Sequence, residues 1–295
     1  MIHIIDLNFL NVSKSIASFL VETNNGPILI ETGPDSTFKN LKKGIEKYNY
    51  NIENIKHVFL THIHLDHAGA AWRLAEHGAK IYVHPKGAEH LIHPEKLMSS
   101  AKKIYQDKMD FLWGKFNPIA PELIKSCKNM ENIILGGVEI EAIHTPGHAN
   151  HHIAWKVNDT IFAGDVCGAK IDNGPVVPAC PPPDIDIEAW VNSIKMILKK
   201  NANSLYLTHY GKVTNVSSHL KDLEKILKNC AYWIKEKMAS GCSEKEMTSL
   251  FINYVNNNLK IKGVSKKLLE KYNAANPPYM SVSGLVRYWN KKNVL

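Results

Sequence analysis

The stretch THIHLDHAG, residues 61–69, places three histidines and one aspartate within six positions. His62 and His64 follow the apolar run 58–60, which is typical of a short buried strand. Side chains two residues apart on extended backbone point the same way, so these two imidazoles can bind one metal ion together. Asp66 and His67 follow where the chain is expected to turn into a helix, and they can face a second ion. The stretch therefore predicts a metal site at a strand end.

Three more candidate ligands lie downstream, each just beyond a predicted strand, where loops carry the functional groups of a rigid sheet. They are His148 in TPGH, Asp165 in AGD and His209 in LTH. The ligand count suits two ions: one is held by His62, His64 and His148, the other by Asp66, His67 and His209, and Asp165 bridges them. These imidazole and carboxylate ligands suit Zn2+, and Fe or Mn is compatible with them. Unrelated core and surface histidines are the alternative, which does not account for so many metal-binding side chains at strand ends.

The charge of the chain is unevenly distributed. The 295 residues carry a net charge of +8, yet residues 1–216 hold 22 basic and 22 acidic side chains, whereas residues 217–295 hold 14 and 6. A change in charge often marks a change in architecture, so we predict a catalytic domain over residues 1–216 and a basic helical domain over 217–295. The basic surface is either a solvated lysine-rich face or a steering surface for an anionic partner such as nucleic acid.

Targeting features are not evident in the sequence. No apolar run approaches the roughly 20 residues that a membrane span needs, and the first residues do not read as a signal peptide. The five cysteines include no CxxC pair. Reduced thiols are the simplest interpretation, and the sequence predicts a cytoplasmic protein with no membrane partner.

Short strands mixed with helices are predicted over the first two-thirds of the chain. The predicted strands are 28–31, 58–60, 79–84, 133–135, 138–143, 153–157, 160–163 and 205–208, and the predicted helices are 39–48, 68–77, 95–116, 187–200, 220–237, 244–257, 265–272 and 281–291. Residues 174–186 hold five prolines and are expected to be irregular. This segment and the aromatic-rich helix 95–116 are the predicted walls of a pocket for an apolar acyl or ring group.

The motifs THIHLDH, TPGH, AGD and LTHYG, in that order, resemble those of the metallo-β-lactamase superfamily over roughly residues 1–216. The resemblance implies an α/β (α+β) fold, an αββα four-layer sandwich with metals at one sheet edge, here with a C-terminal helical extension. It also implies the seven metal ligands named above and a water-orienting, catalytic Asp66. Aspartate rather than cysteine at Asp165, and the presence of His67, resemble glyoxalase II and the lactonase-like hydrolases. Gly168 stands where short lactonases have a tyrosine, which argues against a dedicated lactonase of that type.

The implied activity is hydrolysis of a carboxylic ester, thioester or lactone of a small acyl molecule by a hydroxide bound between two divalent ions. His151 and His152 closely follow His148 and are candidate hydrogen-bond donors behind the ligands. The predicted tail packs beside the active-site mouth, where it closes the pocket or joins a homodimer contact. Three alternatives remain: a phosphodiesterase or nuclease on the same fold, a mononuclear-iron enzyme resembling sulfur dioxygenases, and a non-catalytic metal-binding protein.

Overall fold

Two six-stranded sheets form the centre of the computed structural model, which describes residues 1–293. The first sheet has the order β1-β2-β3-β4-β5-β6, with β1 (Ile2–Asp6), β2 (Ala17–Val21), β3 (Ile28–Ile30), β4 (His57–Phe59), β5 (Lys80–Val83) and β6 (Ile124–Ser126). The second has the order β12-β11-β10-β9-β8-β7, with β7 (Glu131–Leu135), β8 (Val138–His144), β9 (Ile153–Val157), β10 (Thr160–Phe162), β11 (Ser204–Leu207) and β12 (Gly211–Val213). Strands β3 to β6 pair in parallel, as do β10 and β11, and the other pairs are antiparallel.

Helices lie on both outer faces. They are α1 (Phe38–Glu46), α2 (Leu65–Ala68), α3 (Ala71–Glu76), α4 (Pro85–Ile92), α5 (Glu95–Tyr105), α6 (Met109–Leu112), α7 (Ile187–Lys199), α8 (Val216–Ala239), α9 (Glu244–Ile261), α10 (Lys266–Ala275) and α11 (Pro278–Asn293). Residues 174–186 form an irregular segment between β10 and α7, here called the proline-rich loop. No helix in residues 1–293 has the length and apolar character needed to cross a membrane.

Three buried apolar clusters define four layers. The cluster between the sheets is rich in aromatic side chains, with the Phe59 and Trp155 rings 5.0 Å apart at their centroids. The Trp155 indole donates a hydrogen bond to the Leu60 carbonyl at 2.9 Å, which ties the second sheet to the chain just beyond β4. A second cluster lies under α1 and α3 to α6, and a third joins the second sheet to α7 and the C-terminal helices. This layering confirms the predicted αββα sandwich with C-terminal helices.

Some local predictions were wrong. The helix predicted over 95–116 ends at Tyr105, because Gln106 has φ of +50°, and a 3-10 turn at Gln106–Lys108 and the short α6 follow it. The helix predicted over 68–77 is divided at residues 69–70 into α2 and α3. Strands β1, β2, β6 and β12 and helix α4 were not predicted. Buried strands such as β2 lack the alternation by which a strand is recognised in sequence.

Candidate metal centre

The ends of four strands bring all seven predicted ligands together. His62 and His64 follow β4, and Asp66 and His67 lie on α2 immediately after them. On the second sheet, His148 follows β8, Asp165 lies in a 3-10 turn after β10, and His209 follows β11. Both sheets therefore contribute to one cluster at their shared edge.

The first predicted set converges through its ring nitrogens. His62 Nε2 lies 2.9 Å from His64 Nδ1, and His148 Nε2 lies 3.2 Å and 3.1 Å from those two atoms. The three potential ligand atoms lie within 4.8 Å of one another. Three imidazole nitrogens this close are suited to surround a single cation.

The second set converges on the other side of Asp165. His209 Nε2 lies 3.3 Å from Asp66 Oδ2, and His67 Nε2 lies 3.7 Å from the same oxygen. Asp165 Oδ2 lies 3.5 Å from His148 Nε2, whereas Oδ1 lies 3.4 Å from His67 Nε2 and 3.5 Å from His209 Nε2. The two oxygens of Asp165 thus face different sets, as a bridging carboxylate requires.

The outer nitrogens of four of these histidines have hydrogen-bond partners. The Nδ1 atoms of His62, His67, His148 and His209 contact Thr61 Oγ1 at 3.0 Å, Glu31 Oε1 at 3.1 Å, Ala179 O at 2.8 Å and Ser15 O at 2.8 Å. A carbonyl or carboxylate partner fixes the proton on Nδ1 and leaves the inward Nε2 free to bind a metal. Such partners are typical of histidines that ligate metals.

Glu31 contacts the candidate site and was not predicted from the sequence. Its side chain is fully buried directly after β3, and its Oε1 contacts His67 Nδ1, the Thr61 hydroxyl and, at 3.5 Å, the Thr208 hydroxyl. In the sequence, Glu31 directly follows the apolar run 28–30, a position where it is expected to be buried. A buried carboxylate needs a partner, so this position would have identified Glu31 as a candidate.

The electrostatics of the cluster favour cations. Burial, with a smaller contribution from the neighbouring histidines, holds the pKa of His62 well below its ordinary value and lowers that of His64 to about 3. Burial alone would raise the pKa of Asp66, but His67 and His209 outweigh it and lower the value to about 2. Burial likewise disfavours a charged His67, yet the nearby carboxylates raise its pKa well above the usual value. The carboxylates thus remain ionised beside a buried cation, which without metal is the protonated His67 and which a bound metal ion would replace.

Two unpartnered atoms point to the same conclusion. His67 Nε2 and Asp165 Oδ1 are buried and have no hydrogen-bond partner within residues 1–293. Buried polar atoms in native proteins almost always have a partner, and an ion is one explanation for an exception. The seven side chains therefore fit divalent metal ions. They were selected from the sequence by residue type, and the distances between them were not used.

His151 and His152 lie beside the cluster. Their rings are 6.1 Å and 5.1 Å from the ring of His62. His152 Nδ1 contacts Thr145 Oγ1 at 2.8 Å, and His151 Nε2 lies 4.0 Å from an Asp184 oxygen. Neither ring is hydrogen-bonded to one of the seven side chains within the described residues, so support of the ligands by these two histidines stays a prediction.

A cavity of about 350 Å³ opens onto the cluster at His64, Asp66, Asp165 and His209. Its walls come from the N-terminal segment, α5 and α6, the proline-rich loop, the end of α10 with Asn276, and the start of α11. The apolar side chains among them include Phe9, Leu10, Ile16, Leu97, Ile104, Leu112, Trp113, Pro181, Pro182, Pro183 and Met280. Lys108 is the single lysine or arginine among the described residues that line the cavity. The arrangement can hold a mainly apolar molecule against a metal centre.

Known proteins resemble this chain in sequence or in fold. Metallo-beta-lactamase fold-containing protein ST1585 of Sulfurisphaera tokodaii is 30% identical over 178 residues, which are 58% of this chain and 67% of that protein. Hydroxyacylglutathione hydrolase GloC of Haemophilus influenzae is 29% identical over 174 residues, 55% of this chain and 72% of that protein. The solved structure of metallo-beta-lactamase family protein TTHA1429 from Thermus thermophilus is 14% identical and covers 99% of this chain and 94% of its own, with a TM-score of 0.71. That structure shows a shared fold.

The family model described as the metallo-beta-lactamase superfamily matches residues 14–209. The match spans most of the chain and includes every side chain of the cluster, from His62 to His209. Together with the two-sheet sandwich and the histidine–aspartate cluster at its edge, this match shows that the chain belongs to the metallo-β-lactamase superfamily.

Proposed function

We propose that this protein is a metal-dependent hydrolase of carboxylic esters, thioesters or lactones whose acyl group is apolar. The observation that carries the proposal is the apolar cavity that ends at the cluster of five histidines, Asp66 and Asp165. The relative GloC, by its name a hydroxyacylglutathione hydrolase, supports acyl chemistry.

Each part of the reaction can be assigned to residues of this chain. Two divalent ions, when bound by the seven side chains, supply Lewis acidity and lower the pKa of water. Asp66 is an ionised carboxylate at the cavity floor, with its side chain about one-fifth exposed, so it can orient the attacking water and pass its proton to the leaving group. The apolar walls exclude bulk water, which strengthens electrostatic interactions with the developing charge.

The cavity favours acyl substrates over phosphodiesters. A nucleic-acid site needs several lysines or arginines along a phosphate backbone. Lys108 alone supplies such a charge among the described lining residues, and Asp66 and Asp165 are negative. The excess basic charge of the chain lies in residues 217–295 and is not concentrated in this cavity.

A chain-length series tests the proposal. p-Nitrophenyl esters from acetyl to octanoyl, a hydroxyacylglutathione thioester and bis-(p-nitrophenyl) phosphate would be hydrolysed by metal-loaded protein whose metal content has been measured. About two ions per chain are expected. Each buried methylene contributes about 0.8 kcal/mol, so kcat/KM should rise by up to about fourfold per added methylene until the cavity is full.

Matched isoleucine variants locate the effect. Ile104 lines the cavity, whereas Ile134 lies on edge strand β7, 74% exposed. Ile104→Asn should flatten the chain-length dependence, and Ile134→Asn should leave it unchanged. Faster cleavage of the phosphodiester than of every acyl substrate would show that the proposed substrate class is wrong, and a stoichiometry of one ion would contradict the dinuclear site.

A further inference from the structure

The proline-rich loop connects the C-terminal helices to a predicted metal ligand. Its Ala179 carbonyl accepts the hydrogen bond from His148 Nδ1 at 2.8 Å. His148 is fully buried and has its other nitrogen, Nε2, in the metal cluster. The position of one loop carbonyl therefore helps to determine where the His148 ring lies.

Side chains from the C-terminal helices hold the loop on both sides of Ala179. Asn276, at the end of α10, donates from Nδ2 to the Pro178 carbonyl at 3.0 Å. Ser281, on α11, accepts at Oγ from the Cys180 amide at 3.2 Å. Both side chains are buried. The loop has no regular structure of its own. These hydrogen bonds therefore hold its backbone in place, as hydrogen bonds to a neighbouring strand would hold a strand.

Helix α11 also approaches the loop very closely. A Cβ atom on Gly284 would overlap the Cys180 carbonyl and the neighbouring backbone. Glycine at this position thus lets the helix backbone pack directly against the loop. At the start of the loop, the Tyr272 hydroxyl donates to the Pro175 carbonyl at 2.6 Å, and it accepts from the amide of Ile171, just before the loop, at 3.2 Å.

We infer that Asn276 and Ser281 are positioning residues for the metal centre: through the loop backbone they fix the Ala179 carbonyl, and that carbonyl orients His148. This inference rests on the proposed function in one respect, the binding of metal by His148. It assigns the C-terminal helices a role in metal affinity, in addition to covering the second sheet. Met280, next to Ser281, lines the cavity, so a molecule bound there contacts the same turn of helix.

The test uses the full-length protein and near-isosteric variants. Ser281→Thr retains an oxygen acceptor and Ser281→Val has the same shape without one. Asn276→Asp removes the Nδ2 donor at nearly constant volume. Affinity for Zn2+ is measured by competition with a chromophoric chelator, and the Co2+ absorption spectrum reports the ligand environment. Ser283→Ala, on the same helix two residues along, is the control.

We expect Ser281→Val and Asn276→Asp to weaken the binding of one of two ions by about 10- to 100-fold, the range for loss of a partner behind a ligand. Ser281→Thr should restore most of the affinity relative to Ser281→Val, and Ser283→Ala should change it little. In a His148→Ala background, Ser281→Val should have almost no further effect, because the ring that it positions is absent.

The outcomes separate the two hypotheses. If the unmodified protein binds no divalent metal, the proposed function fails. If it binds two ions and Ser281→Val and Asn276→Asp lower only the free energy of unfolding, with Zn2+ affinity and Co2+ spectrum unchanged, the positioning role is wrong. An equal loss of affinity with and without His148 would also overturn it, because the effect would then act elsewhere.

Discussion

Glu31→Ala is the most direct test of whether hydrogen bonds to the outer nitrogens of the histidines support the metal cluster. Glu31 Oε1 accepts from the Thr61 hydroxyl and lies 3.1 Å from His67 Nδ1, and all three side chains are buried. Alanine leaves these two buried polar groups without their partner. At about 1–3 kcal/mol for each, the free energy of unfolding of the metal-free protein should fall by about 2–6 kcal/mol. That is a large part of the roughly 5–15 kcal/mol of an ordinary domain.

Metal affinity should fall as well. Loss of the partner behind His67 is expected to weaken binding about 10- to 100-fold, or about 1.4–2.7 kcal/mol. Glu31→Gln keeps an oxygen for His67 Nδ1, so its effect should be smaller. Glu31 has φ of +63°, and alanine and glutamine would carry similar backbone strain, so the comparison isolates the carboxylate.

Urea unfolding of metal-free protein and chelator competition measure the two effects separately. Thr208→Val is the control, because the Thr208 hydroxyl contacts Glu31 only at 3.5 Å and its loss should change affinity by less than about threefold. Unchanged metal affinity in Glu31→Ala would refute the reasoning, since His67 would then need no partner to stay in place.

Three further predictions concern other parts of the molecule. Asp165→Ala should lower metal content and turnover together in element analysis and kinetic assays, and near-normal turnover would contradict its bridging role. Burial, aided by His144, lowers the pKa of His84 to about 4 from an ordinary 6.5, so the unfolded chain binds the proton more tightly and stability falls as the pH drops from about 6.5 towards 4. His84→Asn, which can still cap α4, should therefore reduce the loss of unfolding free energy between pH 7 and 5 by up to about 2 kcal/mol, and an unchanged pH dependence would argue against this. Gly147→Ala should lower the free energy of unfolding by more than about 2 kcal/mol in urea, because its Cβ would overlap the Trp190 backbone, and a normal transition midpoint would disprove the packing argument.

The seven candidate ligands could be selected from the sequence because metal chemistry restricts residue type. Histidines and aspartates at successive strand ends can be read from sequence, and the structure brings all seven together. The fold followed from the same motifs through their resemblance to a superfamily. The amphipathic C-terminal helices were predicted within a few residues of their bounds because helical periodicity persists over several turns.

What could not be predicted depends on tertiary contacts. The Ser15 and Ala179 carbonyls that support His209 and His148 belong to the backbone, so no residue type reveals them. The end of α5 at Tyr105 depends on a positive-φ backbone conformation at Gln106, a residue type that is a good helix former. The hydrogen bonds of Asn276 and Ser281 join segments about a hundred residues apart, and local patterns carry no information at that separation.

The candidate ligands are divided between the two sheets, and this division makes the stability of the fold depend on bound metal. Four candidate ligands follow β4 of the first sheet and three follow strands of the second. Bound ions would therefore cross-link two halves that otherwise meet through the apolar cluster between the sheets and through hydrogen bonds such as that from Trp155 to Leu60. A ligand that binds only the folded state adds about 4 kcal/mol of stability when its free concentration is about a thousand times its Kd. The stability that bound ions add therefore depends on the concentration of free metal around the protein. Under metal scarcity the chain should become easier to unfold and to degrade, so the amount of the protein would itself follow metal supply.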